Sequence, residues 1–333
     1  MKPIRDTLES LNLSKSMIYK EVTVFPLIGD APPAASYLTL DAATARGAVH
    51  VREVSRGGRV PELLFVNRGD LPVLAIDGEE LVGAKQNRVL NLTILVAPHT
   101  KTVVPVSCVE AGRWSYAGDE FTPSACAQFA VGRAARMRTV SAALSASGSR
   151  HSDQHAVWDD IAAKADRLNA PSPTGAMAEI FARHRPSLEA YVRGLPVARN
   201  QTGAVFAIGP RVVGAELFDH PDTLSALWPK LVRSYALDAI ERAHHTDERS
   251  HEDGAKSFLN HLADAEMRAY PAVGLGTDVR LSGPDVVGGA LVLDESVIHL
   301  AAFATDAAAG NGRREQRPGL ASPWRRACRY FVE

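Results

Sequence analysis

Pro72-Val73-Leu74-Ala75-Ile76-Asp77-Gly78-Glu79-Glu80-Leu81-Val82-Gly83 is the stretch on which the fold turns. Two short apolar runs meet at Asp77-Gly78, a dipeptide that tolerates the positive φ angles of a type I′ hairpin turn. Runs this short suit strands rather than helices. The same texture extends over residues 19–109, where apolar segments alternate with Gly, Pro, Asp and Asn and no 3.6-residue period develops. Strands are expected at 21–27, 48–54, 62–67, 72–76, 80–83, 87–96 and 102–110. Antiparallel hairpins at this spacing predict a β-sandwich or a partly closed barrel.

Beyond Phe121 the pattern changes. Thr122-Pro123 reads as a helix cap followed by proline in the first turn, and Ala-rich sequence continues to about residue 146. Ser147-Gly148-Ser149 breaks it, and helices are expected at 153–168, 175–182 and 186–193, with Pro186 preventing one continuous helix. A second hairpin, 203–208 with 212–218, turns at Gly209-Pro210. Leu224, Leu227, Leu231 and Tyr235 then mark one face of a helix, which Pro229 either kinks or restarts. A helix at 253–267 and strands at 278–281, 289–293 and 297–304 complete the α+β reading. It comprises a β-rich unit (1–121), a central helical region (122–202), an α/β portion packing on the first with a smaller carboxy-terminal β part (203–306), and a disordered Arg-rich tail (307–333).

Composition bounds the function. The 333 residues are 46% apolar and 23% charged, with 37 basic against 38 acidic side chains and a net charge of −1. A surface built to neutralise phosphates carries excess Lys and Arg, so nucleic acid is not an expected partner except through the tail. The apolar run 89–98 falls short of the roughly 20 residues of a membrane helix, and the first residues lack a signal segment, so a cytoplasmic protein is expected. Cys108, Cys126 and Cys328 are too few and scattered for a disulfide framework and read as reduced thiols. The sequence specifies neither a cofactor nor an oligomeric state.

Chemistry-bearing residues concentrate in Asp77-Gly78-Glu79-Glu80-Leu81-Val82-Gly83-Ala84-Lys85-Gln86-Asn87-Arg88-Val89-Leu90-Asn91 and in Ser107-Cys108-Val109-Glu110-Ala111-Gly112-Arg113-Trp114. A hairpin around His99-Thr100 that sets Asn91 opposite Cys108 would place Asn87, Asn91, Cys108 and Glu110 on one face; a one-residue slip would separate them. On this reading Glu80 and Glu110 are acid–base candidates and Cys108 is a nucleophile candidate. Gln86, Asn87 and Asn91 orient a small-molecule ligand, Arg88 and Arg113 hold its anionic groups, Trp114 stacks on a ring, and Glu216 joins from the second hairpin. The structural alternative has amides and Glu110 bonding the backbone, Arg113 paired with an acid, Trp114 capping the core and Cys108 filling it. His151, His155 and Asp159, or His244, His245 and His251 with Asp247 and Glu252, have metal-like spacing, but solvated helix surface explains them better and no metal is assigned. No GxGxxG loop, P-loop, GxSxG elbow or paired CxxC motif occurs.

The two blocks, with Val104-Pro105-Val106 and Gly214-Ala215-Glu216-Leu217-Phe218, resemble the domain family named for its association with ADP-ribosylglycohydrolases and the rhodanese–phosphatase superfamily. The resemblance extends to about Ala304. It implies a setting in NAD or ADP-ribose metabolism. Combined with the polar strand face, it leads to the expectation of a small-molecule hydrolase acting on an ADP-ribose-like or other nucleotide-derived substrate. A non-catalytic nucleotide or ADP-ribose sensor is the alternative.

Overall fold

Period-two burial along the early strands closes them on themselves. The structure, a computed structural model, describes residues 2–31, 35–55, 57–242 and 248–305. His244, His245, Asp247, Cys328 and the Arg-rich tail lie outside the described residues. Helix α1 (Lys2–Ser10) leads into β1 (Asn12–Leu13), β2 (Met17–Tyr19), β3 (Val22–Ile28), β4 (Leu38–Thr39) and α2 (Leu40–Ala45). Then come β5 (Val49–Glu53), β6 (Glu62–Asn67), β7 (Val73–Ala75), β8 (Glu79–Gly83), β9 (Arg88–Leu90), β10 (Ile94–Val96), β11 (Lys101–Cys108) and β12 (Phe121–Ala127). Six of them close a barrel in the order β11-β6-β5-β12-β8-β9. Val49, Val51, Leu63, Phe65, Leu81, Leu90, Val104, Val106 and Phe121 fill its interior cluster.

Helices α3 (Ala130–Ser147), α4 (Gln154–Arg167), α5 (Met177–Arg183) and α6 (Arg185–Gly194) follow. The chain then builds β13 (Gln201–Ile208), β14 (Arg211–Phe218), α7 (Pro221–Glu241), α8 (Glu252–Ala263), β15 (Glu266–Pro271), β16 (Thr277–Ser282), β17 (Val286–Leu293) and β18 (Ser296–Ala304). The large antiparallel sheet runs β1-β3-β13-β14-β18-β17-β16-β15, with β2 on β3; β10-β7-β4 form a small sheet. Alternation along β13 and β14 divides the large sheet's faces. Val205, Ala207, Ala215 and Leu217 meet Ile4 and Leu8 of α1 and Phe258 and Leu262 of α8. Ala204, Phe206 and Phe218 meet α7, where Tyr235 stacks on Phe206 at 3.9 Å between ring centroids. The α+β class follows, with the barrel and the carboxy-terminal sheet both present.

Several local expectations are corrected. Thr122-Pro123 caps no helix, because residues 121–127 form β12, whose Pro123 faces Leu81 just before a register shift. Asp77-Gly78 is not a hairpin turn, although Gly78 does have φ +79°: β7 pairs with β10 and β4, whereas β8 enters the barrel. The expected strand 87–96 breaks after Leu90 into β9 and β10, which join different sheets. The hairpin about His99-Thr100 is consequently absent, since β11 pairs first with β6 and then with β9, setting Cys108 opposite Arg88 rather than Asn91. That offset of three residues is odd, so it moves Asn87 and Asn91 to the face opposite Cys108. Helix α7 runs unbroken through Pro229. Residues 266–271 are strand, not the end of a helix. No helix of the described residues is long and apolar enough to cross a membrane.

Candidate ligand cavity at the barrel mouth

The strand directions bring the carboxyl ends of β5, β8 and β11 and the amino ends of β6, β9 and β12 to the same rim of the barrel. Arg88 and Cys108 face each other across β9 and β11, on the strand phase of Leu90 and Val106, and so belong to the barrel's inner layer. Above this rim lies a cavity of about 650 Å³, within the usual range for small-molecule sites. Gly57 to Pro61, Gln86, Val106, Ala111 and Trp114 line its barrel side; His151, Ser152, Gln154, His155 and Trp158 line its helical side. Asp153 caps α4 by accepting from the His155 and Ala156 amides at 3.0 and 3.1 Å. Gln154 fixes the helix to the rim, its amide bonding both the N–H and the carbonyl of Cys108 at 2.8 Å.

The predicted residues separate into three places. Gln86 and Trp114 line the cavity. Arg88 and Cys108 lie directly behind them: Arg88 Nη1 donates to Gln86 Oε1 at 3.0 Å, the Cys108 thiol donates to the same oxygen at 3.0 Å, and the Arg88 guanidinium stands 5.8 Å from the Trp114 ring centre. Arg88 is fully buried, and its Nε and Nη2 have no hydrogen-bond partner. No carboxylate among the described residues pairs with it. Burial pushes the Cys108 thiol up, a tendency that the Arg88 charge only partly offsets.

A second group forms a closed bracket beside the cavity. Glu110 accepts from Arg113 Nε at 2.9 Å, from the Asn87 amide at 3.1 Å and from Thr174 at 2.9 Å, while Asn87 Oδ1 accepts from Arg113 Nη2 at 3.1 Å. Burial raises the Glu110 carboxyl, but these donors outweigh it and hold the group below the usual carboxylate range. Asn91 lies behind the helical wall, bonded to Ser107 at 2.5 Å and to the Arg150 carbonyl at 3.0 Å.

Glu80 and Glu216 sit elsewhere. Glu80 points out of the barrel, accepts from Ser124 at 2.8 Å and is pushed up to about 7 by burial. Its neighbour Glu79 is buried on the other phase, paired at 2.5 Å with Lys230 of α7, which is itself buried. Glu216 is buried between Arg133 at 2.6 Å, Tyr235 at 3.1 Å and His299 at 3.1 Å. Asp219, which follows β14, accepts from Tyr37, and the next residue, His220, caps α7.

Two lining features and one buried carboxylate escaped the sequence. Trp158 follows His155 by one helical turn, and their rings meet edge-on at 5.8 Å. His151 and His155 carried a metal-like spacing, yet what they share is a cavity wall; no group of three or more His, Cys, Asp or Glu among the described residues is placed to hold a metal. Glu53 falls in the apolar phase of Val49-His50-Val51-Arg52-Glu53, a signal that marks a carboxylate turned into the barrel. It is 8% exposed and neither carboxylate oxygen has a hydrogen-bond partner.

Comparison with known proteins gives one match. The sequence model of the ARPP-1 family, described as the ARG and Rhodanese-Phosphatase-superfamily-associated Protein domain, matches residues 10–303. No curated protein and no solved structure matches the chain.

Proposed function

The chain belongs to the ARG and Rhodanese-Phosphatase-superfamily-associated Protein domain family, and on that premise we propose that its barrel-mouth cavity binds a nucleotide-derived small molecule as a recognition or sensing domain. The observation that carries this reading is Arg88. A guanidinium enclosed without an acidic partner, with two N–H groups unpaired, is costly, each unmade bond being worth about 1–3 kcal/mol. A ligand whose acceptor oxygens or ring nitrogens reached past Gln86 and Trp114 would offset that cost. Trp114 beside it and Trp158 opposite supply flat apolar surfaces for a base.

Recognition is favoured over hydrolysis by the state of the acid–base candidates. Glu110 has its oxygens occupied and is held ionised, Cys108 is a protonated hydrogen-bond donor, and Glu80 does not line the cavity. The hydrolase alternative rests on His151 and His155, the titratable groups of the cavity wall. Titration with ADP-ribose, NAD and a set of nucleoside monophosphates, followed by tryptophan emission, with mass spectrometry of the same mixtures, separates the readings. Binding without product is expected, weakened about tenfold or more in Trp114→Ala. Product formation abolished in His155→Ala would replace recognition with hydrolysis, and unchanged affinity in Trp114→Ala would remove the cavity from either account.

A further inference from the structure

A second cavity, of about 300 Å³, opens on the outer wall of the barrel at the end remote from the mouth, where β5 and β11 begin and β6 ends. Burial alternates along β5, so His50 and Arg52 face outward while Val49, Val51 and Glu53 face in. The register then builds a row across three strands: His50 and Lys101 both pair with Val66, one on each side, about 10 Å apart at the spacing of neighbouring strands. Arg68 follows two residues beyond Val66, and the turn before β11 contributes His99 and Thr100. Asn67 holds that turn, its side-chain amide donating to the Val96 and Ala97 carbonyls at 3.2 and 3.1 Å and its backbone N–H to the Thr100 carbonyl at 3.0 Å. His99 takes φ +55°, a left-handed conformation that a residue with a side chain adopts where its surroundings impose it. Two acids approach, and each has its own histidine: Glu120 meets His50 Nδ1 at 3.1 Å, and Asp70 meets His99 Nε2 at 3.0 Å. Arg52, Arg68 and Lys101 are left with no side-chain hydrogen bond or ion pair among the described residues.

We infer that this cavity is a separate binding site, for a compact anion carrying two or more linked phosphate groups. Arg52 and Arg68 present planar forks that match paired phosphate oxygens, and Lys101 adds a compact point charge. Three cations rising from three strands span more than a single phosphate covers, and linked groups bring oxygens within reach of each. The volume lies at the small end for ligand sites, and no Phe, Tyr or Trp lines it. A base would find nothing to stack on. That sets this wall apart from the tryptophan-lined mouth and from grooves for single-stranded nucleic acid, whose affinity draws on stacking. Charge recognition without stacking suits a diphosphate, carried on a soluble ester or on a phosphorylated lipid headgroup.

The test titrates the full chain by calorimetry with inorganic orthophosphate, diphosphate and triphosphate at about 0.15 M ionic strength, where long-range attraction is screened. Diphosphate and triphosphate are expected to bind about tenfold or more tighter than orthophosphate. Arg52→Ala, Arg68→Ala and Lys101→Ala should each weaken diphosphate about tenfold, and Lys101→Glu should abolish it, while Arg183→Ala, an exposed cation of α5, serves as the control and should change nothing. All four cavity side chains project from the barrel's outer wall, and thermal melting verifies that the variants fold. Equal affinity for orthophosphate and diphosphate, or no binding of either, would overturn the assignment in the parent protein. Loss of diphosphate binding in Trp114→Ala but not in Lys101→Glu would move the anion to the barrel mouth and overturn it as well. Tighter binding of a single-stranded oligothymidylate than of triphosphate would give the wall to nucleic acid instead. Phosphatidylcholine vesicles with and without a bisphosphorylated inositol lipid separate the two sources of the same chemistry: retention of the parent protein but not of Lys101→Glu assigns the headgroup, and diphosphate binding without retention assigns the soluble ester.

Discussion

Glu80 carries its hydrogen-bond deficit on one oxygen: Ser124 bonds Oε2 while Oε1 is buried without a partner. Burial, aided by the Glu110 charge, lifts its carboxyl from 4.5 to about 7. Folded-state protonation is thus retained at pH values where the unfolded chain has already released the proton. Stability contributed by this group is present below about 4.5 and is lost as pH rises toward 7, amounting to about 3 kcal/mol when complete. Glu80→Gln keeps the Ser124 contact and removes the charge. It should match the parent near pH 4.5 and exceed it by up to about 3 kcal/mol at pH 8, read from denaturant midpoints; equal midpoints at pH 8 would contradict the assignment. Gln86, Arg88, Cys108 and Trp114 were legible as candidates from residue type, but their grouping was not, because the expected register set Cys108 with Asn87 and Asn91 rather than with Arg88. Nor was Glu53 legible, since its burial depends on which way a strand's even and odd positions face once the barrel closes.

Strand β12 shows how far local cues reach. Thr122-Pro123 before an alanine-rich run fits a helix start, but Phe121 is drawn into the barrel between Val51 and Gly83, and helix α3 begins only at Ala130. Pairing partners far along the chain override propensity. The broken strand at Asn91 has the same origin: β9 and β10 obey different sheets, and a single-strand reading of 87–96 cannot contain that divergence. The β8–β12 seam rests on Gly83, whose φ is +136° and where a β-carbon would stand 2.4 Å from the Glu120 carbonyl. Gly83→Ala should therefore cost about 2 kcal/mol or more, through backbone strain and the forced opening of the seam. Gly47, also at positive φ but with open space around its β-position, is the control and should lose about 1 kcal/mol in Gly47→Ala. Equal losses in urea titrations would show that the seam yields freely.

The strand order joins what the sequence separates: β1 to β3, near the amino terminus, extend the sheet built by residues 201–304, so the barrel is an insertion between parts of one layer. The hairpin at 203–218 was readable from its turn residues, and strands at 289–293 and 297–304 from their texture; the long pairing of β3 with β13 was not, because nothing local encodes it. Barrel and sheet share an apolar cluster that joins Ile76, Val89 and Val109 to Phe218, Ile298 and Phe303, and a buried polar network crosses it. Arg133 of α3 bonds Asp77, between β7 and β8, at 2.9 Å and Glu216 of β14 at 2.6 Å, and His299 of β18 bridges Glu216 to Thr93 at 3.1 and 2.7 Å. Burial opposes ionisation of Asp77, but Arg133 and Arg136 outweigh it and hold the carboxyl at about 2. Its contribution is accordingly present above about 3.8 and lost as pH falls toward 2. Arg133→Met removes the principal cation from two buried carboxylates and should destabilise the fold by about 3–5 kcal/mol at pH 7.5. The Asp77 carboxyl would then titrate upward, so the variant should lose stability as pH rises from 4.5 to 7.5. Denaturant midpoints across that range decide the matter: a variant whose deficit is the same at both pH values would show that Arg133 acts through packing on Phe303, 5.0 Å from its guanidinium, rather than through charge.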